Sequence, residues 1–507
     1  LNKIFKNSLF SILQAIIVTP ITFILVPYTI SKIGKEGYGL FALVGVISSY
    51  QVFVEMGLTT TLIRFVSKAN VTKDINAISE FLNTTLLFFI IISVLAYLVI
   101  VSFSSFLVTD ILGIKTDIEL VIFLVKISAL TGIINLISGL FKSILDGLQR
   151  MDISNIILTF QVIISAVGTF LFLNNGLGIK GLAINGLMIS FLTLITNIFF
   201  SKKLIHYQIS ITKFKMTRFK EMFKYSVNLQ LSNLIYFWTE PLNKILISNF
   251  LGLSFVGYYD IALKFTSRIT NFVRSALSSL FPATSEVFER DRTKGIENLR
   301  KKSLKYLYPS IMFIYVLGII FTKPFVNLWL GAEFNVVSNA IIILLIGSFI
   351  SILATPPYVI LMGAGFSQDT LRVQFQSIIV NISAVILFSL LFGFYGFCTG
   401  YTLSMIYSFF VTNFAYKNRF KLDDNIFKFL FHRRLISITI LVIIIGVITK
   451  YYFIINSWNK FVIFALLLML IYLFSFWKSK IITESDICLL FGINRVKEIL
   501  FLFRRRK

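Results

Sequence analysis

Apolar residues occupy this chain in long blocks separated by short polar breaks. A helix that crosses a bilayer needs about 20 mostly apolar residues. Fourteen blocks reach about that length, at 8–30, 38–63, 80–104, 119–145, 153–173, 179–200, 227–250, 256–282, 304–322, 337–362, 370–393, 396–416, 435–455 and 460–477. No series of short alternating strands appears, so the chain reads as an all-α polytopic membrane protein and not a barrel. The first block is too long for a cleaved leader and lacks a small-residue cleavage site, so it is expected to stay in the mature protein.

The polar breaks carry the orientation. With the N-terminus inside, and residues within five of a block end counted with the adjoining segment, the inner segments hold 36 of the 48 Lys and Arg and the outer loops hold 7. This asymmetry places both termini in the cytoplasm. Three basic linkers, 201–226, 285–305 and 417–434, and the tail ending Arg504-Arg505-Arg506-Lys507 read as topology signals and anchors to anionic head groups. Apolar residues at helical spacing over 487–503 predict an interfacial helix in that tail.

Composition narrows the classes further. Only 14% of the 507 residues are charged, against about a quarter in soluble domains. The net charge of +25 would point to nucleic acid in a soluble chain, but here no polar segment is long enough to offer a nucleic-acid face. Cys398 and Cys488 lie far apart in apolar surroundings, and His206 and His432 lie in basic linkers, so no disulfide framework, metal site or His-based triad is readable. The outer loops, none longer than about 15 residues, leave no room for the sugar site of a polymerase or glycosyltransferase, so no catalytic residue is assigned.

The chain also repeats itself weakly. Phe5-Lys6-Asn7-Ser8 answers to Phe223-Lys224-Tyr225-Ser226, Gly34 to Gly252, Gly37-Tyr38 to Gly257-Tyr258 and Ala42-Leu43 to Ala262-Leu263. Gly147 answers to Gly363, Gly178 and Gly181 to Gly393 and Gly396, and Thr196-Asn197 to Thr412-Asn413. Two six-helix lobes follow, 1–200 and 227–416, related by a pseudo-twofold along the membrane normal. The segments 201–226 and 417–434 are cytoplasmic linkers, 435–477 adds two helices, and 478–507 is a basic cytoplasmic tail.

Seven ionisable residues are read inside the blocks: Glu55, Lys126, Glu240, Lys244, Lys264, Arg268 and Arg274. Each costs roughly 2.5–3.5 kcal/mol near the bilayer centre unless it meets a partner or a wet cavity. Lys264 and Arg268, four apart, form one stripe; Arg274 lies roughly 80° to the other side of Lys264. Glu240 and Lys244 are spaced to neutralise one another. A cationic interior fits an anionic ligand, and Arg suits a phosphate because its planar fork donates in parallel. The competing reading is an ion-pair network of these cations with Glu55 and Glu240. Pro20, Pro27, Pro241 and Pro356-Pro357 predict bends in their helices.

The run Gly34-Lys35-Glu36-Gly37-Tyr38-Gly39-Leu40-Phe41, then Ser49-Tyr50 and Glu55-Met56-Gly57-Leu58 leading to Arg64-Phe65-Val66, resembles the polysaccharide-transport flippases for O-antigen and capsule repeat units. These belong to the superfamily that also holds MATE multidrug exporters and the lipid II flippase. Leu251-Gly252, Val256-Gly257-Tyr258-Tyr259 and Ala262-Leu263-Lys264 look like the same pattern, and the likeness runs in outline from residue 1 to about 420. It implies a monomeric, V-shaped helical bundle in the bacterial inner membrane, acting near a polysaccharide polymerase. Its substrate would be an undecaprenyl-diphosphate-linked oligosaccharide, moved to the outer leaflet by alternating access.

On that reading Arg268, Lys264, Arg274 and Lys244 hold the diphosphate, Glu55 and Glu240 are cavity acids, and Arg64 stands at the cytoplasmic entrance. Glu55 and Lys264 fall on the family pattern, whereas Arg268 and Arg274 rest on the charge argument. Asn243 stands where similar sequences often have an acid, which leaves an ion-coupling site in doubt. No cofactor or metal is implied, and a proton gradient, a sodium gradient or the membrane potential remain alternatives as the driving force. The rival readings are lipid II as substrate and export of organic cations, the latter needing a cavity dominated by carboxylates.

Overall fold

The computed structural model describes residues 2–277, 280–421, 433–452 and 455–478. Most of the third linker and the tail 479–507, with its expected interfacial helix, His432 and Cys488, lie outside the described residues. No strand occurs among the described residues. The helices in order are α1 (Asn2–Ser48), α2 (Gln51–Glu55), α3 (Leu58–Val71), α4 (Ile75–Ser102), α5 (Ser104–Phe106), α6 (Ile118–Gly147), α7 (Met151–Asn174) and α8 (Gly178–Leu204). There follow α9 (Met216–Leu251), α10 (Leu253–Leu277), α11 (Leu280–Trp329), α12 (Asn335–Ile352), α13 (Thr355–Gly363), α14 (Ser367–Phe420), α15 (Arg433–Tyr452) and α16 (Trp458–Lys478).

Nine helical stretches among the described residues are long and apolar enough to cross a membrane. Two of them each cover two of the blocks read from the sequence, because a single glycine turns the chain between them. Gly34 (φ 75°, ψ 174°) interrupts α1 and Gly393 (φ 56°, ψ −132°) interrupts α14. Positive φ costs glycine nothing, so the reversal needs no loop. The blocks at 227–250 and 256–282 lie on α9 and α10, and 435–455 on α15.

Two blocks are broken where the sequence reading left them whole. The one at 38–63 divides at Ser49-Tyr50 and again at Met56-Gly57, both of which have positive φ (42° and 71°). The one at 337–362 divides at Leu353-Ala354. Pro356 and Pro357 do not bend a continuous helix; they stand in the first turn of α13, where a missing N–H costs nothing.

The chain divides into two compact units: Leu1–Ile261 with Asn381–Phe397, and Ala262–Val380 with Cys398–Lys507. In the first, α6 packs on α8, α7 on α1 and α8, and α3 and α4 on α6. Its core joins Leu58, Leu62 and Val66 of α3 to Ile78, Phe81 and Phe89 of α4 and to Leu140 and Ile144 of α6. The outward face of α4 is apolar (Ile91, Leu95, Leu98, Val99), while Asn83, Thr84, Thr85 and Ser93 are buried. That inversion is what lipid solvent selects, since polar groups must find partners inside.

The first linker is pinned to α4. Asn83 Nδ2 donates to the Gln208 carbonyl (2.6 Å), the Ser210 amide to Asn83 Oδ1 (2.9 Å) and the Lys215 amide to Thr84 Oγ1 (3.0 Å). Arg218 Nε reaches Glu80 at 3.1 Å. Tyr207 is buried against Phe141 and bonded to Ser201, and burial pushes its phenol up to about 12. In the second unit α11 carries the basic linker 285–305 as continuous helix and packs on α12, α13, α15 and α16.

Candidate functional site

The break after Glu55 opens a polar cavity of about 380 Å³ in the first unit. Gln51 and Glu55, four apart on α2, share one helix face and line it, and Thr59 of α3 donates to Glu55. From α6 come Asn135, Ser138, Lys142, Ser143 and Asp146; from α7 Ser154 and Gln161; from α8 Thr193 and Asn197. Asp146, 8% exposed, takes Lys142 Nζ at 2.5 Å on one oxygen and Ser154 Oγ at 2.7 Å on the other. Asn197, 3% exposed, donates to Ser138 Oγ (2.9 Å), while its own Oδ1 has no protein donor; nor has Oε1 of Gln51. Buried acceptors left in that state cost about 1–3 kcal/mol each, so they mark where a donor belongs. Asn413, which answers to Asn197 in the repeat, likewise keeps an Oδ1 without a protein donor.

A second polar cluster of the same unit joins α1, α9, the start of α10 and part of α14. Lys244 Nζ lies 2.8 Å from Asp260 Oδ1 and 2.9 Å from Glu240 Oε1. Tyr38 donates to the other Asp260 oxygen at 3.0 Å. Asn243 donates to the Tyr259 hydroxyl and accepts from Asn381, both at 3.0 Å. Asp260, 3% exposed, is a residue that reading the sequence missed. It stands in the block 256–282 and was not counted there, as Lys142 of the block 119–145 was not. The spacing of four between Asp260 and Lys264 was the available signal.

The named candidates therefore fall in different places. Glu55 lines the cavity. Arg64 is exposed on α3, one residue past the lining Ile63. Glu240 and Lys244 meet one another, as their spacing predicts, and Lys244 is directed to carboxylates. Lys264, Arg268 and Arg274 belong to the second unit, with Lys264 and Arg268 exposed on α10 and Arg274 half-buried. Among the described residues no group of His, Cys, Asp and Glu is arranged to hold a metal.

Comparison with known proteins decides the family. The model for polysaccharide biosynthesis proteins matches residues 4–288, more than half of the chain. The chain belongs to that family. A protein of Shigella flexneri described as an O-antigen transporter is 21% identical over 411 residues, which covers 80% of this chain and 95% of that one. The fold is also shared with the lipid II flippase MurJ in an inward closed conformation (TM-score 0.74, 16% identity, 94% of this chain and 99% of that one). An inward-facing MATE family multidrug resistance transporter gives a TM-score of 0.68 at 16% identity, covering 80% of this chain and 98% of that one. This member of the polysaccharide biosynthesis family thus has a multi-span helical architecture with a MATE-like fold.

Proposed function

We propose that the chain moves undecaprenyl-diphosphate-linked oligosaccharide repeat units from the cytoplasmic to the outer leaflet of the bacterial plasma membrane, for O-antigen, capsule or exopolysaccharide synthesis. The observation that carries this reading is the family match, together with similarity along 95% of a protein described as an O-antigen transporter. The lobes 1–200 and 227–416 would rock to give alternating access, as repeats sharing one orientation permit. Arg268, Lys264 and Arg274 of α10 hold the diphosphate through charge-assisted hydrogen bonds. Arg64 attracts it at the cytoplasmic entrance. Lys244 fixes Glu240 and Asp260 and thereby contributes to the site at one remove. The chain works as a monomer, without cofactor, and an ion gradient or the membrane potential drives it.

Depletion of the protein in its own host tests this. Complete diphosphate-linked repeat units should accumulate and surface polymer should be lost. Accumulation of lipid II instead would change the pathway and keep the mechanism. Arg268→Ala should lower export about 10- to 100-fold at normal protein level, the range of one charge-assisted hydrogen bond, and Arg268→Lys should recover part of it. Unchanged export in Arg268→Ala would remove that residue from the site.

One observation favours a second reading: the cavity of the first unit carries Glu55 and Asp146 against a single cation, Lys142. An exporter of organic cations has use for such a lining. Unchanged lipid-linked pools with raised sensitivity to cationic drugs on depletion would support it.

A further inference from the structure

We infer that the cavity of the first unit is a subsite for the glycan of the substrate; the inference rests on the flippase reading above. The argument begins with which hydrogen-bond partners the lining lacks. Gln51 Oε1 and Asn197 Oδ1 are acceptors without a protein donor, and Glu55 adds its second carboxyl oxygen, the first being bonded by Thr59. Lys142, the cation of the lining, is already bonded to Asp146. A ligand that satisfies these acceptors must bring donors, and it can accept in turn from the amides of Asn135 and Gln161 on the same lining. A diphosphate brings acceptors; sugar hydroxyls and acetamido N–H groups bring what is missing.

Size and backbone agree with this. At about 380 Å³ the cavity falls in the range of small-ligand sites and far exceeds a bare ion. Lys142 beside Asp146 further opposes a metal cation. Leu136, Ile157 and Leu158 supply apolar wall for the C–H face of a pyranose ring. The helix that presents Gln51 and Glu55 is discontinuous, ending at Met56, whose left-handed φ of 42° is costly for a side chain larger than glycine. Transporters place interrupted helices where substrate is bound. The depth of Asn197, 3% exposed on α8, makes it the residue whose acceptor gains most from a sugar donor.

The test uses the purified full-length protein and two probes. One is the diphosphate-linked oligosaccharide that accumulates in the depleted host; the other is undecaprenyl diphosphate without sugar. Binding of each is read by native mass spectrometry for the wild type, Asn197→Leu and Gln51→Leu. Wild type should prefer the glycan-bearing lipid, and each variant should reduce that preference about tenfold, as loss of one buried hydrogen bond does. Arg268→Ala should weaken both probes alike and leave the preference in place. If both cavity variants fold, by thermal unfolding, and keep the full preference, the cavity holds only water and the inference falls while the flippase reading stands. Equal weakening of both probes by the cavity variants would likewise overturn it. If no lipid-linked oligosaccharide accumulates on depletion, the flippase reading falls and takes this one with it.

Discussion

Asp260 receives Lys244 on one oxygen and Tyr38 on the other, and it does so almost out of contact with solvent. Taking two charges out of water or head groups is costly, and the pair holds because each charge is met at hydrogen-bond distance. Removing one member is worse than removing both, since the survivor remains buried and charged. Lys244→Met should therefore destabilise the protein by about 3 kcal/mol, because Asp260 is then left buried and charged, while adding Asp260→Leu should recover most of that. Thermal unfolding of the purified variants decides it; additive losses in the double variant would show that the two residues act separately. A lone carboxylate in an apolar block was visible in the sequence. Its partner was not, because Lys244 and Asp260 meet across two helices and the nearer candidate, Glu240, lies one turn away on the same helix.

The close approach of α1 and α10 depends on glycine. A Cβ built on Gly39 of α1 would stand 1.8 Å from the Leu253 carbonyl oxygen of α10, and one on Gly257 would meet the Lys35 carbonyl and Gly39 itself. The clash is with backbone, which cannot turn aside as a side chain can. Gly39→Ala should abolish monodisperse protein in gel filtration, whereas Gly45→Ala, with nothing within 4 Å, should be neutral or stabilise α1 by up to about 1 kcal/mol. Equal behaviour of the two variants would remove the close approach from the explanation. The repeat in the sequence foreshadows part of this geometry: Gly34 and Gly252 share φ and ψ (75°, 174° and 92°, 172°), and Gly147 and Gly363 each end a helix. Block boundaries at 38–63 were not legible. Apolar residues continue through Met56, and only the backbone records that the helix stops there; Glu55 was legible as a cavity acid, but the neutral lining from α6, α7 and α8 was not.

At the scale of the whole molecule, orientation is the property on which direction of transport depends, and it follows from the distribution of Lys and Arg. The cations of the first linker predict that it lies in the cytoplasm, and the bonds from Gln208, Ser210, Lys215 and Arg218 fix it against the N-terminal end of α4. The opposite end of α4 leads to the segment holding Lys115 and Thr116, on which the charge bias is low. Thr212 and Thr116 are both exposed, so each accepts a reporter thiol without disturbing packing. In a background with Cys398 and Cys488 replaced by Ala, Thr116→Cys should react with a membrane-impermeant maleimide on intact spheroplasts. Thr212→Cys should react only after permeabilisation. The reverse pattern would turn the protein over and make the proposed inward-to-outward flipping an uptake, because the Arg64 entrance would then face the outer leaflet. Reaction of both thiols in intact spheroplasts would mean that fewer helices than the fourteen blocks actually cross, since an odd number of crossings must separate the two positions.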